Sequence, residues 1–228
     1  MIAPGGGWRV LLVLALLAAA PLPGVGGHDD RIVVAADAPP WSALARLQIP
    51  GVGRCTAVLI GPRTALTAAH CLWSARLHRF VPPDMIHVLT RYSRGAFAFH
   101  TLAAGYRIAP GSDVAAVTLA APPGGVVLGF APPPPPGTPA MLGGYNRDRM
   151  EVIEADTACH ITGRDGALLG HDCAATFGTS GAPLLVRGRD GAWAIAGIQT
   201  RAFVGRSGGI AVAAATLQAW LNAAGVPP

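Results

Sequence analysis

Two short segments of the 228-residue chain carry the side chains best suited to nucleophilic chemistry. Ser180 lies between glycines in segment 178–183 (GTSGAP), and His70 lies in segment 67–71 (TAAHC). A serine hydroxyl attacks a carbonyl only when a nearby base removes its proton, and histidine is the usual base. The two segments therefore predict acyl transfer through a serine nucleophile, provided that the fold brings them together.

A third residue is needed to orient the histidine, and two aspartates compete for that role. Asp113 precedes the apolar run 114–119, whereas Asp84 follows two prolines, which favour a surface turn. A buried carboxylate would accept a hydrogen bond from the imidazole nitrogen of His70 that faces away from the serine, and it would stabilise the imidazolium formed during attack. We expect Asp113 to be this residue, with Asp84 as the alternative.

Each of these features has an ordinary interpretation when it is taken alone. The composition of segment 178–181 is common in turns, and a histidine beside a cysteine is often a packed core residue or a metal ligand. A single aspartate before an apolar run often marks only the edge of a strand. The conjunction of all three, in this order, favours the catalytic interpretation.

The order His, Asp, Ser and the two segments resemble the chymotrypsin-like serine proteases, and in particular their bacterial branch with its glutamyl endopeptidase-like members. The resemblance is most specific over 55–71 and 173–183, although Thr179 replaces the acidic residue that usually precedes the serine. An α/β-hydrolase would need the order Ser, Asp, His and the motif G-x-S-x-G, which fails at Ala182. The resemblance implies an all-β fold of two packed antiparallel β-barrels with a C-terminal helix.

The resemblance also implies roles for further residues. The backbone N–H groups of Gly178 and Ser180 would form an oxyanion hole, and the Thr200 hydroxyl would support Asp113. Arg201 would be the only charged residue at the substrate pocket, where it would either favour an acidic substrate side chain or point into solvent. The residues expected to form this pocket are Ala174, Ala175, Thr176, Gln199, Arg201 and Gly209.

The four cysteines, at 55, 71, 159 and 173, permit three pairings and leave no odd thiol. The resemblance implies a bridge between Cys55 and Cys71, and with it a second between Cys159 and Cys173. Zinc binding is the alternative, because Cys159 and Cys173 each have a histidine close in sequence. That spacing matches no common zinc module, so no metal or other cofactor is expected.

The segment around Ile32 resembles an activation site, since Asp29, Asp30 and Arg31 precede it. In vertebrate relatives a freshly cut isoleucine places its α-amino group against an acidic residue beside the nucleophile. Thr179 carries no charge, and burying an ammonium group without a counter-charge is strongly unfavourable. We therefore expect that Ile32 is not an activation switch of this kind.

Composition and the N-terminus indicate where the protein acts. The net charge is +5, but all 17 basic residues are arginines scattered along the chain, so nucleic-acid binding is not expected. Arg9 precedes the apolar run 10–20, which is too short to span a bilayer and is typical of a secretory signal peptide. Ala20 and Gly27 are the candidate cleavage positions. The mature protein is expected to be secreted or periplasmic, without a membrane span.

Short apolar runs broken by Gly, Pro and Asp are typical of a β-barrel or sandwich. Segment 213–222 instead spaces its large apolar residues on one helical face. The run 131–137 predicts an extended polyproline connector, with a docking motif for SH3-like domains as the alternative. The predicted divisions are a signal peptide (1–27), a first barrel (28–120), a linker (121–140) and a second barrel with the helix (141–228).

These observations together predict a secreted, monomeric serine endopeptidase that acts on polypeptides. Two alternatives from other classes stay open. A catalytically inactive homologue would keep the fold and the cysteines and serve as a binding module. An extracytoplasmic esterase would use the same three residues, because acyl transfer to water does not require an amide.

Overall fold

Fifteen strands and one α-helix make up about half of the described part of the chain. The computed structural model describes residues 25, 27–188 and 190–227, so the expected signal peptide lies almost entirely outside it. The elements are β1 (Ile32–Val34), β2 (Leu44–Ile49), β3 (Gly53–Gly61), β4 (Thr64–Ala68), β5 (Trp73–Ser74), β6 (Arg79–Phe80), β7 (His87–Thr90), β8 (Phe99–Ile108), β9 (Val114–Leu119), β10 (Pro139–Gly144), β11 (Ile153–Asp165), β12 (Leu168–His171), β13 (Pro183–Arg187), β14 (Trp193–Ala202), β15 (Gly209–Ala213) and α1 (Ala214–Ala223).

The first barrel closes through antiparallel strands in the order β2, β3, β4, β9, β8, β7. Every residue of β4 is buried, because one face of this strand packs into the barrel and the other meets the second barrel. Side chains alternate across the strand accordingly: Ala65 lies in the core of the first barrel, whereas Leu66 lies in the shared core between the barrels.

The second barrel has the order β11, β10, β13, β14, β15, β12, and pairing between β11 and β12 closes it. Strand β1 adds to the outer part of this barrel, with Ile32 opposite Ala155 in β11. This pairing joins the start of the described chain to the second barrel, and the sequence analysis did not indicate it. The predicted all-β fold of two barrels with a C-terminal helix is confirmed.

Two segments connect the barrels to each other. The proline-rich segment 120–138 contacts both, since the N–H of Leu128 donates to Leu59 O (3.0 Å) and that of Ala131 donates to Ile195 O (2.8 Å). Helix α1 packs against the shared core with Leu217 and Leu221 fully buried. The barrels are thereby held in a fixed relation, and residues on facing edges can form one site.

Both expected disulfides are present, between Cys55 and Cys71 and between Cys159 and Cys173. The first links β3 to the turn that carries His70, and the second links β11 to the segment that leads to Ser180. The segments that carry His70 and Ser180 are thus each covalently tied to a strand of their own barrel. Within the described residues, no helix has the length and apolarity that a membrane span requires.

Candidate active site

His70 and Asp113 form a close pair at one edge of the first barrel. The imidazole Nδ1 lies 2.6 Å from Asp113 Oδ2, and the backbone N–H of His70 donates to Asp113 Oδ1 over 2.8 Å. Both oxygens of the carboxylate are therefore engaged by one residue. This arrangement fixes the ring orientation and leaves Nε2, the other imidazole nitrogen, for a proton from a nucleophile.

The strand pairing explains how this pair forms. β4 runs beside β9, with Ala68 opposite Val114, so the residues just beyond these two ends are neighbours. The chain then turns in a short 3₁₀ helix, Ala69–Leu72, and the N–H of Ala69 donates to Asp113 O (3.1 Å). Asp84, the alternative to Asp113, lies exposed in another 3₁₀ turn, Pro83–Met85.

Ser180 lies in the nucleophile loop, which we define as residues 176–181. The loop passes close to the first barrel: Thr56 N–H donates to Ser180 O (2.9 Å) and the Thr56 hydroxyl donates to Gly178 O (3.0 Å). On the other side, Gly181 N–H donates to Gln199 O over 2.7 Å. Backbone contacts from both barrels therefore hold the nucleophile.

The two glycines that flank the nucleophile are required by both conformation and space. Gly178 and Gly181 have φ of +95° and +84°, a region that L-residues with side chains rarely adopt. A Cβ at Gly181 would lie 2.1 Å from Thr56 O, and one at Gly178 would lie 2.4 Å from Tyr145 O. The glycine spacing that suggested a turn thus also allows the loop to approach the first barrel.

The backbone N–H groups of Gly178 and Ser180 are available at the site. Across residues 27–188 and 190–227 neither one donates to another protein group. Two unpaired donors on either side of Thr179 are what an oxyanion hole requires. The structure therefore places the predicted donors beside the predicted nucleophile.

Two cavities border both His70 and Ser180, one on each side of the nucleophile loop. The smaller, about 370 Å³, contains four of the six predicted pocket residues: Ala175, Thr176, Gln199 and Arg201. Ala174 and Gly209 do not line it; both are buried behind it. Phe203 and Val204 line it as well, and the sequence analysis missed them because neither belongs to a motif. We call this cavity the acyl pocket.

The larger cavity, about 660 Å³, extends past the disulfide between Cys55 and Cys71. It is lined by residues of both barrels, including Trp73 from the first and Arg147 from the second. We call it the leaving-group cleft, because it begins on the side of the loop where Gly178 lies and passes along the residues that follow His70. A polypeptide crossing Ser180 would occupy both cavities.

A buried histidine supports the acyl pocket from behind. His171 Nε2 lies 2.7 Å from Gln199 Oε1, and the Gln199 amide in turn donates to Arg201 O (3.0 Å). Burial lowers the pKa of His171, although Gln199 and the carboxylates of Asp156 and Asp172 oppose this shift. The ring is therefore neutral at neutral pH, and the wall that Gln199 presents to the pocket carries no charge.

Thr200 does not make the predicted contact. Its hydroxyl donates to Ile210 O (3.3 Å) and thus has no proton for Asp113. The reason lies in the strand register, since the pairing of β14 with β15 shifts between Gln199 and Arg201. The irregularity turns the Thr200 hydroxyl toward β15, although the residue still borders the acyl pocket.

Two clusters of potential metal ligands each contain a pair of cysteines. Cys55, His70 and Cys71 lie close enough to share one, as do Cys159, Asp172 and Cys173. The sulfurs in both groups are joined in disulfides, however, and have no thiolate to donate. The chemistry of this donor set does not fit the zinc alternative.

Comparisons with known proteins agree with this geometry. A family model described as a trypsin-like peptidase domain matches residues 55–192. A solved structure described as "Structure of Glu endopeptidase in complex with MPD" is similar, with a TM-score of 0.75 and 21% sequence identity, over 89% of this chain and 100% of that chain. At this identity the similarity shows a shared fold. A search of curated proteins found no match.

Proposed function

Because the chain belongs to the family of trypsin-like peptidases, we propose that it is an exported serine endopeptidase with Ser180 as the nucleophile, His70 as the general base and Asp113 as the residue that orients the base. The observation that carries the proposal is the double contact of Asp113 with His70, at the edge of two cavities that Ser180 also borders. A histidine with only a structural role would not be expected to border two substrate-sized cavities.

In this mechanism His70 Nε2 takes the Ser180 proton as the hydroxyl attacks the scissile carbonyl. Asp113 stabilises the imidazolium, which then gives its proton to the leaving amine. The acyl-enzyme that remains is hydrolysed when the same histidine activates a water molecule. The short contact of 2.6 Å between Nδ1 and Asp113 suits the ion pair that forms during both steps.

The oxyanion of the tetrahedral intermediate would be bound by the N–H groups of Gly178 and Ser180. Each such donor typically contributes roughly 3 to 4 kcal/mol to transition-state stabilisation. Thr56 supports this proposal, because its bonds to Ser180 O and Gly178 O hold the intervening peptide groups in place before substrate arrives. Little reorganisation would then be needed during the reaction.

The acyl pocket would favour an uncharged side chain before the scissile bond. Its walls include Ala175, Phe203 and Val204, and no carboxylate lines it. The neutral pair of His171 and Gln199 adds a polar but uncharged surface. Arg201 is exposed at the edge of this pocket, so its guanidinium would remain in solvent.

Export is proposed from two features. The apolar run 10–20 after Arg9 is typical of a signal peptide, and two disulfides form readily only in an oxidising compartment. The protein would therefore act on polypeptides in the periplasm or outside the cell.

Hydrolysis of a peptide library by the mature, disulfide-bonded protein tests the proposal. We expect internal cleavage of peptides that is abolished in Ser180→Ala. Turnover of activated esters without peptide cleavage would support the esterase instead. Absence of both reactions, with native disulfides and a cooperative unfolding transition, would support an inactive homologue acting as a binding module.

A further inference from the structure

Arg31 is an unusual arginine because it is buried at the start of the described chain. Its side chain is only 2% exposed, although its neighbours in sequence on both sides lie at the surface. Its guanidinium contacts three carboxylates, those of Asp29 (2.8 Å), Asp148 (2.6 Å) and Glu154 (3.2 Å). The resemblance to activation sites had marked Arg31 only as a cleavage position.

The charge on Arg31 is matched by its surroundings. Burial alone would lower the pKa of the guanidinium, but the hydrogen bonds that it donates to Asp29 and Asp148 raise it above its usual value. Glu154 is 1% exposed and is also contacted by Arg149 (2.9 Å). Removing one partner from a buried ion pair is costly because the remaining charge stays desolvated. Loss of Arg31 would leave Glu154 with Arg149 alone and would remove the cation that links Glu154 to Asp148.

One path of contacts runs from this cluster to the nucleophile loop. Glu154 Oε2 accepts a bond from the side-chain amide of Asn146 (3.5 Å), and Asn146 Oδ1 lies 3.0 Å from the Thr179 hydroxyl, whose single proton it shares with Thr176 O. Asn146, Glu154 and Thr179 are all fully buried. Thr179 lies between the two residues whose N–H groups form the proposed oxyanion hole.

A second path reaches the other side of the loop. Asp148 accepts two bonds from Arg31 and lies in the short 3₁₀ turn Arg147–Arg149. The N–H of Arg147, in the same turn, donates to Phe177 O over 2.7 Å. The two paths therefore meet the chain on either side of Gly178.

We propose that Arg31 is a positioning residue for the nucleophile loop and that its guanidinium supplies, from within the uncut chain, the buried cation that holds this loop in its active arrangement. The protein is then active without cleavage before Ile32. Cleavage there inactivates it, because the released segment carries Arg31 away from Asp148 and Glu154. This inference rests on the proposed function.

The side chain at position 179 agrees with a loss of activity on cleavage before Ile32. In the uncut chain Ile32 pairs with Ala155 in the sheet and is 56% exposed. Thr179 binds Asn146 through a hydroxyl and offers no carboxylate to a new α-amino group. A chain cut before Ile32 would thus lose the Arg31 guanidinium, and its new α-amino group would find no carboxylate beside Ser180.

The test compares steady-state hydrolysis of one peptide by five proteins. Wild type beginning at His28 is measured beside protein beginning at Ile32 and beside Arg31→Gln, Arg31→Lys and Arg46→Gln, all beginning at His28. Arg46 is the matched control: it is also a buried arginine, and it pairs with a carboxylate, Glu151, that is not in contact with Thr179 or Asn146. Thermal unfolding is recorded for each protein.

We expect kcat to fall at least tenfold for Arg31→Gln and for the protein beginning at Ile32, with KM nearly unchanged and with partial recovery in Arg31→Lys. Arg46→Gln should lose stability while keeping its kcat. Equal kcat in all five proteins, or a higher kcat in the protein beginning at Ile32, would overturn the inference. If Arg31→Gln does not fold, Asp148→Asn weakens the same cluster at its solvent edge, and an unchanged kcat there would also overturn it.

The same measurements distinguish a failure of the proposed function from a failure of the proposed role of Arg31. Inactive wild type would contradict the function itself, whereas active wild type with equally active Arg31 variants would contradict only the role of Arg31. Activity that depends on Ser180 in the wild-type protein therefore serves as the reference for every comparison.

A different observation concerns the leaving-group cleft. Arg54 and Arg147 both line it and both have exposed side chains, and no Asp or Glu is among the lining residues. Neither arginine takes part in an ion pair within residues 27–188 and 190–227. Glu151, which does not line the cleft, interacts electrostatically with Arg54 at longer range, so the lining itself carries two positive charges and no carboxylate.

We also infer that these two arginines favour acidic residues on the C-terminal side of the scissile bond. His70 must protonate the leaving amine, and Cys71 and Trp73, which follow it closely, line this cleft and not the acyl pocket. The leaving half of the substrate thus occupies the cleft that contains the arginines. Each exposed pair of this type typically changes affinity about two- to fivefold at low salt.

Matched peptides test this second inference, which also rests on the proposed function. They share one sequence before the scissile bond and carry Glu, Gln or Lys at successive positions after it. We expect kcat/KM to be highest for Glu and lowest for Lys, with the difference reduced by salt and in Arg54→Gln and Arg147→Gln. Arg63→Gln, an exposed arginine outside the cleft, should keep the wild-type ratio. Equal rates for all three peptides in active wild-type protein would overturn the inference.

Discussion

The two halves of the site are supported in different ways. The His70 half relies on local structure: the end of β4, a 3₁₀ turn, a disulfide to β3 and the adjacent start of β9. The Ser180 half has its own disulfide but relies mainly on buried polar side chains, among them Thr56, Thr179 and Asn146. Strand pairing fixes His70, whereas a hydrogen-bond network fixes Ser180.

This contrast has an energetic consequence. A ladder of backbone bonds tolerates the loss of one side chain, but a buried network leaves an unsatisfied group whenever one member is removed. We therefore expect substitutions far from Ser180 to affect its half of the site more than comparable substitutions affect the His70 half.

The largest expected effects concern the residues that both halves contribute to the reaction. Ser180→Ala and His70→Ala should each lower kcat by roughly 10⁶-fold, because the two residues act as a unit. The double variant should be little worse than either single one. Steady-state and single-turnover rates on one peptide provide the measurement. Multiplicative losses in the double variant would show that the two halves act independently.

The next largest effect is expected from Asp113, which orients His70. Asp113→Asn should lower kcat by roughly 10⁴-fold with the fold intact, since an amide favours the wrong imidazole tautomer. Asp84→Asn is the control, because Asp84 is exposed in a different turn. Loss of activity from Asp84→Asn, with Asp113→Asn harmless, would assign the third role to Asp84.

Within the Ser180 half, Thr179→Val tests the polar network directly. The change keeps the side-chain shape but removes the hydroxyl next to the buried side-chain oxygen Oδ1 of Asn146, at a cost of about 1–3 kcal/mol. If this cost falls on the active arrangement of the loop, kcat should decrease about 10- to 100-fold. Thr179→Ser retains the hydroxyl and should retain most activity. Equal activity of the Val and Ser variants would show that the loop does not depend on this bond.

The smallest effect is the pH dependence of stability that arises from His171. Burial lowers its pKa below the usual 6.5, so the unfolded chain binds this proton more readily than the folded one. The stability linked to neutral His171 is therefore fully present above pH 6.5 and is lost as the pH falls below it. Melting temperatures of wild type and His171→Gln, measured between pH 7.5 and 5, should converge on acidification. Parallel curves would contradict the assignment.

The sequence predicted the His70 half better than the Ser180 half for a physical reason. His70, Asp113 and the bridge between Cys55 and Cys71 are fixed by short motifs at strand ends, where order along the chain carries the information. The buried partners of Thr179 and the pairing of β1 with β11 depend on residues far apart in sequence. No local pattern marks Asn146 or Arg31 as members of one network.

Thr200 is a second example of a contact that the sequence alone does not determine. The resemblance implied that its hydroxyl supports Asp113, whereas the structure places the residue at the border of the acyl pocket. A register shift between β14 and β15 then directs its hydroxyl to Ile210, and such an irregularity is set by the pairing of whole strands rather than by the residue itself.

Covalent labelling tests the central claim, that Ser180 is activated by His70 in the uncut chain. Protein beginning at His28 would be incubated with a fluorophosphonate and analysed by intact mass and peptide mapping. The account predicts one adduct per chain, located on Ser180, and none in Ser180→Ala or His70→Ala. A chain that stays unlabelled although it is folded and disulfide-bonded, or that is labelled at another residue, would contradict it.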